Sequence, residues 1–125
     1  MGLYPCAWSV TFQVCHGKLN AILNQRSQDM LVANNWNVTQ YAVLVHLLAR
    51  EAGLAVGELI HVISDAHIYL RHIPIIEDLL KREAYPAPTL VLDQAPLDFY
   101  EVKVSDLKLE GYQHGERVRH IEVAI

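Results

Sequence analysis

"WSVTFQVCHGKLNAILN", residues 8–24, decides the fold. Trp8 to Cys15 and Lys18 to Asn24 both read as strands, and only His16 and Gly17 lie between them. A two-residue link with glycine second suits a tight hairpin, so the two runs pair antiparallel. Pairing across that turn brings the chain near residue 26 back beside residues 6 and 7. Cys15 is held at the opposite end of the hairpin, away from that junction.

Working outward, the period changes at residues 37–53, where Tyr41, Leu44, Val45, Leu48 and Ala52 recur at helical spacing and Gly53 supplies a stop. "GELIHVIS" (57–64) is rich in β-branched residues and reads as a buried strand. Residues 73–82 read as a second helix whose first turn accepts Pro74. After the break at "YPAPT", short strands are expected at 89–92 and about 117–124, with "EGYQHGE" as a turn-rich link. The pattern predicts an α+β fold in which a mixed β-sheet is covered by helices or by another subunit. Residues 1–125 form a single domain, without repeats or a low-complexity tract.

Composition narrows the function. The chain has 125 residues, 52% of them hydrophobic, and a mean hydropathy of +0.14, so it has either a large core or a face hidden against a partner. A net charge of −4, with ten scattered Lys and Arg, gives no pull toward nucleic acid. Arg71 and His72 interrupt the longest apolar run and no signal peptide opens the chain, so a cytoplasmic protein without a membrane span is expected. Two cysteines build no disulfide framework, and without a CxxC a structural zinc site is not expected. His61, His67 and His72 follow no helical HExxH spacing and lack a carboxylate at ligand spacing; no metal is expected.

Four polar clusters interrupt the apolar background, each at the edge of an expected element: "YPCAW" (4–8), "QRSQD" (25–29), "NNWNVTQY" (34–41) and "SDAHIY" (64–69). Cys6 is a small buried hydrophobe or, as a thiolate beside a cation, a nucleophile; the hairpin makes Arg26 that cation. Arg26 and Ser27 together offer a bidentate guanidinium and a hydroxyl, which suits a monophosphate; a solvated loop is the alternative. Asn37 is either a helix N-cap or an amide matching the N3–H and O4 edge of a uracil. His67 and Tyr69 alternate with Asp65, face one side on extended backbone, and can hold a ribose hydroxyl.

In order and interval these clusters resemble the carboxy-terminal half of the thymidylate synthase family. The matching motifs are "PC" at 5–6, "QRSQD" at 25–29, "NVTQY" at 37–41, "DAHIY" at 65–69, "EGY" at 110–112 and "EVAI" at 122–125. Each is weak alone, but as an ordered set over the whole chain they are specific. The resemblance implies a thymidylate synthase-like fold and the reductive methylation of dUMP to dTMP with 5,10-methylenetetrahydrofolate as cosubstrate. Cys6 would add to C6 of the uracil, with Arg26, Asp29 and Asn37 completing the catalytic set. Gln25, Arg26, Ser27, Asn37, His67 and Tyr69 would hold dUMP, and Asp29 and the Ile125 carboxylate would face the folate. A homodimer is implied, or a partner supplying an amino-terminal half with a catalytic glutamate, tryptophans beside the folate and arginines lent across subunits.

The family's pattern is not followed throughout. Ala7 stands where many members have His, Ala33 and Ser64 stand where glycines are common, and "ANN" (33–35) replaces a Gly-x-Pro loop. Extra side chains at 33 and 64 are expected to narrow the pocket. Deoxycytidylate hydroxymethylases are similar in outline but carry aspartate at the position of Asn37, so the asparagine favours dUMP over dCMP. A noncatalytic remnant, a half of a split enzyme and a related pyrimidine hydroxymethylase are the alternatives.

Overall fold

The structure is a computed structural model that describes residues 4–92, 95–96 and 98–122. β1 (Ala7–Cys15) and β2 (Lys18–Gln25) form the expected hairpin, from Cys15 opposite Lys18 to Ala7 opposite Gln25. Both turn residues take positive φ, 48° at His16 and 73° at Gly17. That backbone matches the twist of paired strands, and it is why a glycine stands at the second position.

β2 also pairs in parallel with β4 (Ala55–Ile63), giving a mixed sheet in the order β1-β2-β4. A parallel pair needs a long crossover, and α1 (Asn34–Glu51) provides it. Gly53 ends the crossover at φ 66°. Its N–H donates to the Arg50 carbonyl at 3.1 Å and that of Leu54 to Ala49 at 2.8 Å, the paired bonds of a Schellman stop.

Alternation along β2 decides the core. Leu19, Ala21, Leu23 and Gln25 are all buried, and Val45 and Ala49 of α1 are the buried residues of the helix that crosses the sheet. Burying a side chain such as Leu23, which is 0% exposed, contributes about 1.5–3 kcal/mol. The other face of the sheet is bare: Ile60 and Val62 are each 47% exposed. Helix α1 therefore covers one face of the sheet.

The β2–β4 ladder has a shift between Leu19 and Ala21. There Asn20 Oδ1 accepts the Glu58 N–H at 2.9 Å, replacing a ladder bond. Gly57 makes that possible, because a Cβ at this position would lie 2.3 Å from Asn20 Oδ1 and 2.7 Å from the Leu19 carbonyl.

Past the sheet's edge the parallel pairing resumes between β3 (Gln28–Asp29) and β5 (Ala66–His67). The Ser64 N–H donates to Gln25 O at 3.0 Å, the Gln28 N–H to Asp65 O at 2.8 Å and the Met30 N–H to His67 O at 3.0 Å. Two of the four polar clusters are thus fastened side by side by backbone hydrogen bonds.

The carboxy-terminal third departs most from expectation. The second helix, α2 (Ile73–Leu79), follows a 3-10 turn at Leu70–His72 and stops short of Arg82. β6 (Thr89–Val91) is present, but its antiparallel partner is β7 (Lys108–Glu110). No strand lies at 117–122; the apolar-polar alternation there has no neighbouring strand to pair with, and residues 123 and 124 lie outside the described residues. Ile125, expected at the folate, also lies outside them.

Candidate functional site

The hairpin places Cys6 as the sequence requires. Immediately before β1, its carbonyl accepts the Arg26 N–H at 2.9 Å. The Arg26 guanidinium reaches past it to the Tyr4 carbonyl at 2.6 Å. "YPCAW" and "QRSQD" therefore meet at one end of the sheet. Cys6 is a half-buried free thiol, whereas Cys15 is exposed at the turn.

A second group gathers where β3 meets β5. Ser27 Oγ donates to Asp65 Oδ2 at 3.3 Å. The same carboxylate oxygen lies 3.2 Å from His67 Nδ1, within ion-pair range but not aligned as a hydrogen bond, so Nδ1 is buried without a donor or acceptor partner among the described residues. The His67 and Tyr69 rings stand edge to face with centroids 5.2 Å apart, so the two are neighbours as their spacing predicts. Tyr69 also meets the His72 ring at 5.7 Å. His72 is 2% exposed and its Nε2 lies 2.8 Å from the Glu122 carbonyl. That bond ties the tail of the chain to the turn behind the site.

Asp29 has a structural task. Its Oδ1 accepts the N–H groups of Leu31 at 2.9 Å and Val32 at 3.2 Å, holding the turn that leads into α1. Asn37 is not an N-cap: the helix starts three residues earlier, with Ala33 at its cap position and no side-chain cap bond. Instead Asn37 Nδ2 donates to Gln28 Oε1 at 2.9 Å.

Beneath these residues lies a buried polar chain. Gln25 and Gln28 are each 1% exposed. His61 Nε2 lies 2.8 Å from Gln25 Oε1, and Gln25 Nε2 donates to Gln28 Oε1 and, at 3.0 Å, to the Ser27 carbonyl. Burial pushes the His61 imidazole below its ordinary value, and it does the same to His46 on α1. Neither Gln28 nor His61 was expected at the site. The signal was in β2, where Gln25 follows Leu19, Ala21 and Leu23 on the inward face, and a buried amide needs partners.

The departures from the family pattern cause no backbone strain. Ala33 has φ −96° and ψ −22°, and Ser64 is not among the positive-φ residues, so neither position demands glycine. His61, His67 and His72 have different partners, and among the described residues no three His, Cys, Asp or Glu gather as a metal-ligand group. Among them, too, no helix is long and apolar enough to cross a membrane.

A model of the thymidylate synthase family matches residues 1–125. Thymidylate synthase of Listeria monocytogenes is 43% identical over 112 residues, which are 90% of this chain and 36% of that protein. Thymidylate synthase 1 of Bacillus subtilis is 39% identical over 125 residues, all of this chain and 44% of that one. The solved structure of the thermostable thymidylate synthase A of Bacillus subtilis superposes with a TM-score of 0.93 at 39% identity, over 100% of this chain and 45% of that one. The chain thus spans less than half the length of these relatives.

Proposed function

The chain belongs to the thymidylate synthase family, and we propose that it provides the nucleophile and most of the dUMP site for the reductive methylation of dUMP to dTMP. The observation that supports this most directly is the junction of Cys6 with Arg26, which puts a free thiol and a guanidinium on adjoining backbones.

Arg26 and Ser27 bind the 5'-phosphate, a task that a guanidinium fork and a hydroxyl suit. His67 and Tyr69 hold the ribose 3'-hydroxyl, with the Asp65 carboxylate 3.2 Å from His67 Nδ1. Asn37 meets the uracil edge: its Oδ1 accepts from N3–H and its amide donates to O4. The Cys6 thiolate forms a bond to C6, and the displaced electron pair moves through C5 onto O4, where the Asn37 N–H stabilises it. C5 becomes the nucleophilic carbon. C5 loses its proton after it has taken up its substituent; reduction of that substituent to a methyl group then restores the enolate, whose collapse forms the C5–C6 double bond and expels the Cys6 thiolate.

The residues fit a folate as well. Asp29 spends Oδ1 on its turn, and Oδ2 is an acceptor suited to the N–H groups of a pterin. The bound folate would supply the one-carbon unit and the hydride. In the assembled enzyme the chain is half of a site completed by an amino-terminal half or a second subunit, and it works in the cytoplasm.

The two cysteines allow an internally controlled test. Saturating dUMP is expected to slow alkylation of Cys6 by iodoacetamide several-fold and leave Cys15 unchanged, as read by peptide mass spectrometry. Equal Cys6 rates with and without dUMP contradict the reading.

A further inference from the structure

An amide side chain keeps its shape when turned end for end but exchanges donor for acceptor. Uracil presents an acceptor at O4 and a donor at N3; cytosine presents the reverse. An Asn37 free to turn would therefore serve either base. We propose that Gln28 fixes which way round Asn37 presents its amide and so selects uracil over cytosine. The inference rests on the dUMP site proposed above.

Backbone carbonyls set the direction, because they only accept. Gln25 Nε2 faces the Ser27 carbonyl at 3.0 Å, so its Oε1 is the end that meets His61 Nε2 at 2.8 Å. Gln28 Nε2 faces the Asp29 carbonyl at 3.3 Å, so its Oε1 is the end turned toward Gln25 Nε2 and Asn37 Nδ2. Reversing either glutamine would set oxygen against oxygen at side chains 1% exposed, where no bulk water makes good the loss. An acceptor at Gln28 Oε1 obliges Asn37 to offer an N–H. One amide hydrogen is committed there, and Oδ1 and the second N–H are left in the sense that matches uracil.

Gln28 is then a positioning residue, acting through Asn37. Its signature is in the ratio of affinities rather than in affinity. By calorimetry the chain is expected to bind dUMP at least about tenfold tighter than dCMP. Gln28→Met, similar in volume but without the amide, is expected to bring that ratio down to about two- or threefold. Its dUMP affinity falls by only about two- or threefold, since an unguided Asn37 keeps the matching orientation part of the time. Gln28→Glu, whose acid proton can face the Asp29 carbonyl while the other oxygen accepts, restores most of the ratio. A folded Gln28→Met protein with the parent's full preference overturns the proposal.

A second measurement needs no nucleotide. The Asn37 side-chain amide resonance, assigned by its loss in Asn37→Ala, should show one N–H protected from exchange with water, and Gln28→Met should abolish that protection. Unchanged protection overturns the orientation argument. A parent chain that binds neither nucleotide, with the amide protected, sinks the dUMP reading and its base selection while leaving the fixed orientation standing.

Discussion

His61 shows how much a single buried polar side chain can govern. It sits behind the site, donates to Gln25, and is held below its ordinary pKa by burial; His46 is displaced in the same direction for the same reason. A histidine with a depressed pKa in the folded state stabilises the fold fully above its unfolded value of about 6.5. That contribution is lost as pH falls through the depressed value. The urea midpoint should therefore drop between about pH 7.5 and about pH 5.5, above the range where carboxylates titrate. The drop should be smaller in His46→Gln. A midpoint that holds or rises over that interval contradicts the assignment. At this scale the sequence was most informative where a residue type carries its chemistry with it. Cys6, Arg26, Ser27, His67 and Tyr69 were named from local spacing and the hairpin, and the structure brings them into two neighbouring groups. Gln28 and the turn-holding task of Asp29 were not legible, because both depend on which way an amide or a carboxylate turns after the chain has folded.

Among the elements, those defined by periodicity and stop signals have the limits read for them: the hairpin, α1 and β4 lie within a few residues of their sequence limits, although β4, read as a buried strand, alternates between exposed and half-buried residues because one face of the sheet is open. The strand expected at 117–124 shows why the rest was harder. Strand pairing is a long-range property, and β6 pairs with 108–110, a run too short to signal itself. Stops, by contrast, are local. Gly53 has φ 66° and open space where a Cβ would go, so an alanine there meets no clash but does meet the left-handed penalty. Gly53→Ala is expected to cost about 1 kcal/mol, read as a lower urea midpoint with unchanged slope. An unchanged or higher midpoint would mean that the Schellman geometry is not what ends α1.

For the molecule as a whole, the high apolar content has a visible cause. The bare face of the mixed sheet carries Ile60 and Val62, and Trp8, Trp36 and Leu80 are exposed elsewhere at 68%, 73% and 80%. An apolar sheet face open to water marks an interaction surface, and self-association through that face, as in a homodimer, is the expected outcome. Sedimentation should show concentration-dependent association that Ile60→Lys weakens by tenfold or more. A clean monomer at high concentration would contradict it. The family was legible from the ordered set of motifs because they span the chain from residue 5 to its end. How the remainder of the site is supplied was not legible, since the chain corresponds to less than half of the relatives compared above.

On the proposed function, Cys6 lies beneath C6 of a uracil held by these residues. Dehalogenation of 5-bromo-dUMP, run with a small added thiol and no folate and followed by the fall in ultraviolet absorbance, tests it most directly. The reaction needs only a placed thiolate and a bound nucleotide. Turnover by the chain and none by Cys6→Ser is the expected outcome. Absence of turnover from a folded sample, or equal turnover by Cys6→Ser, would contradict it.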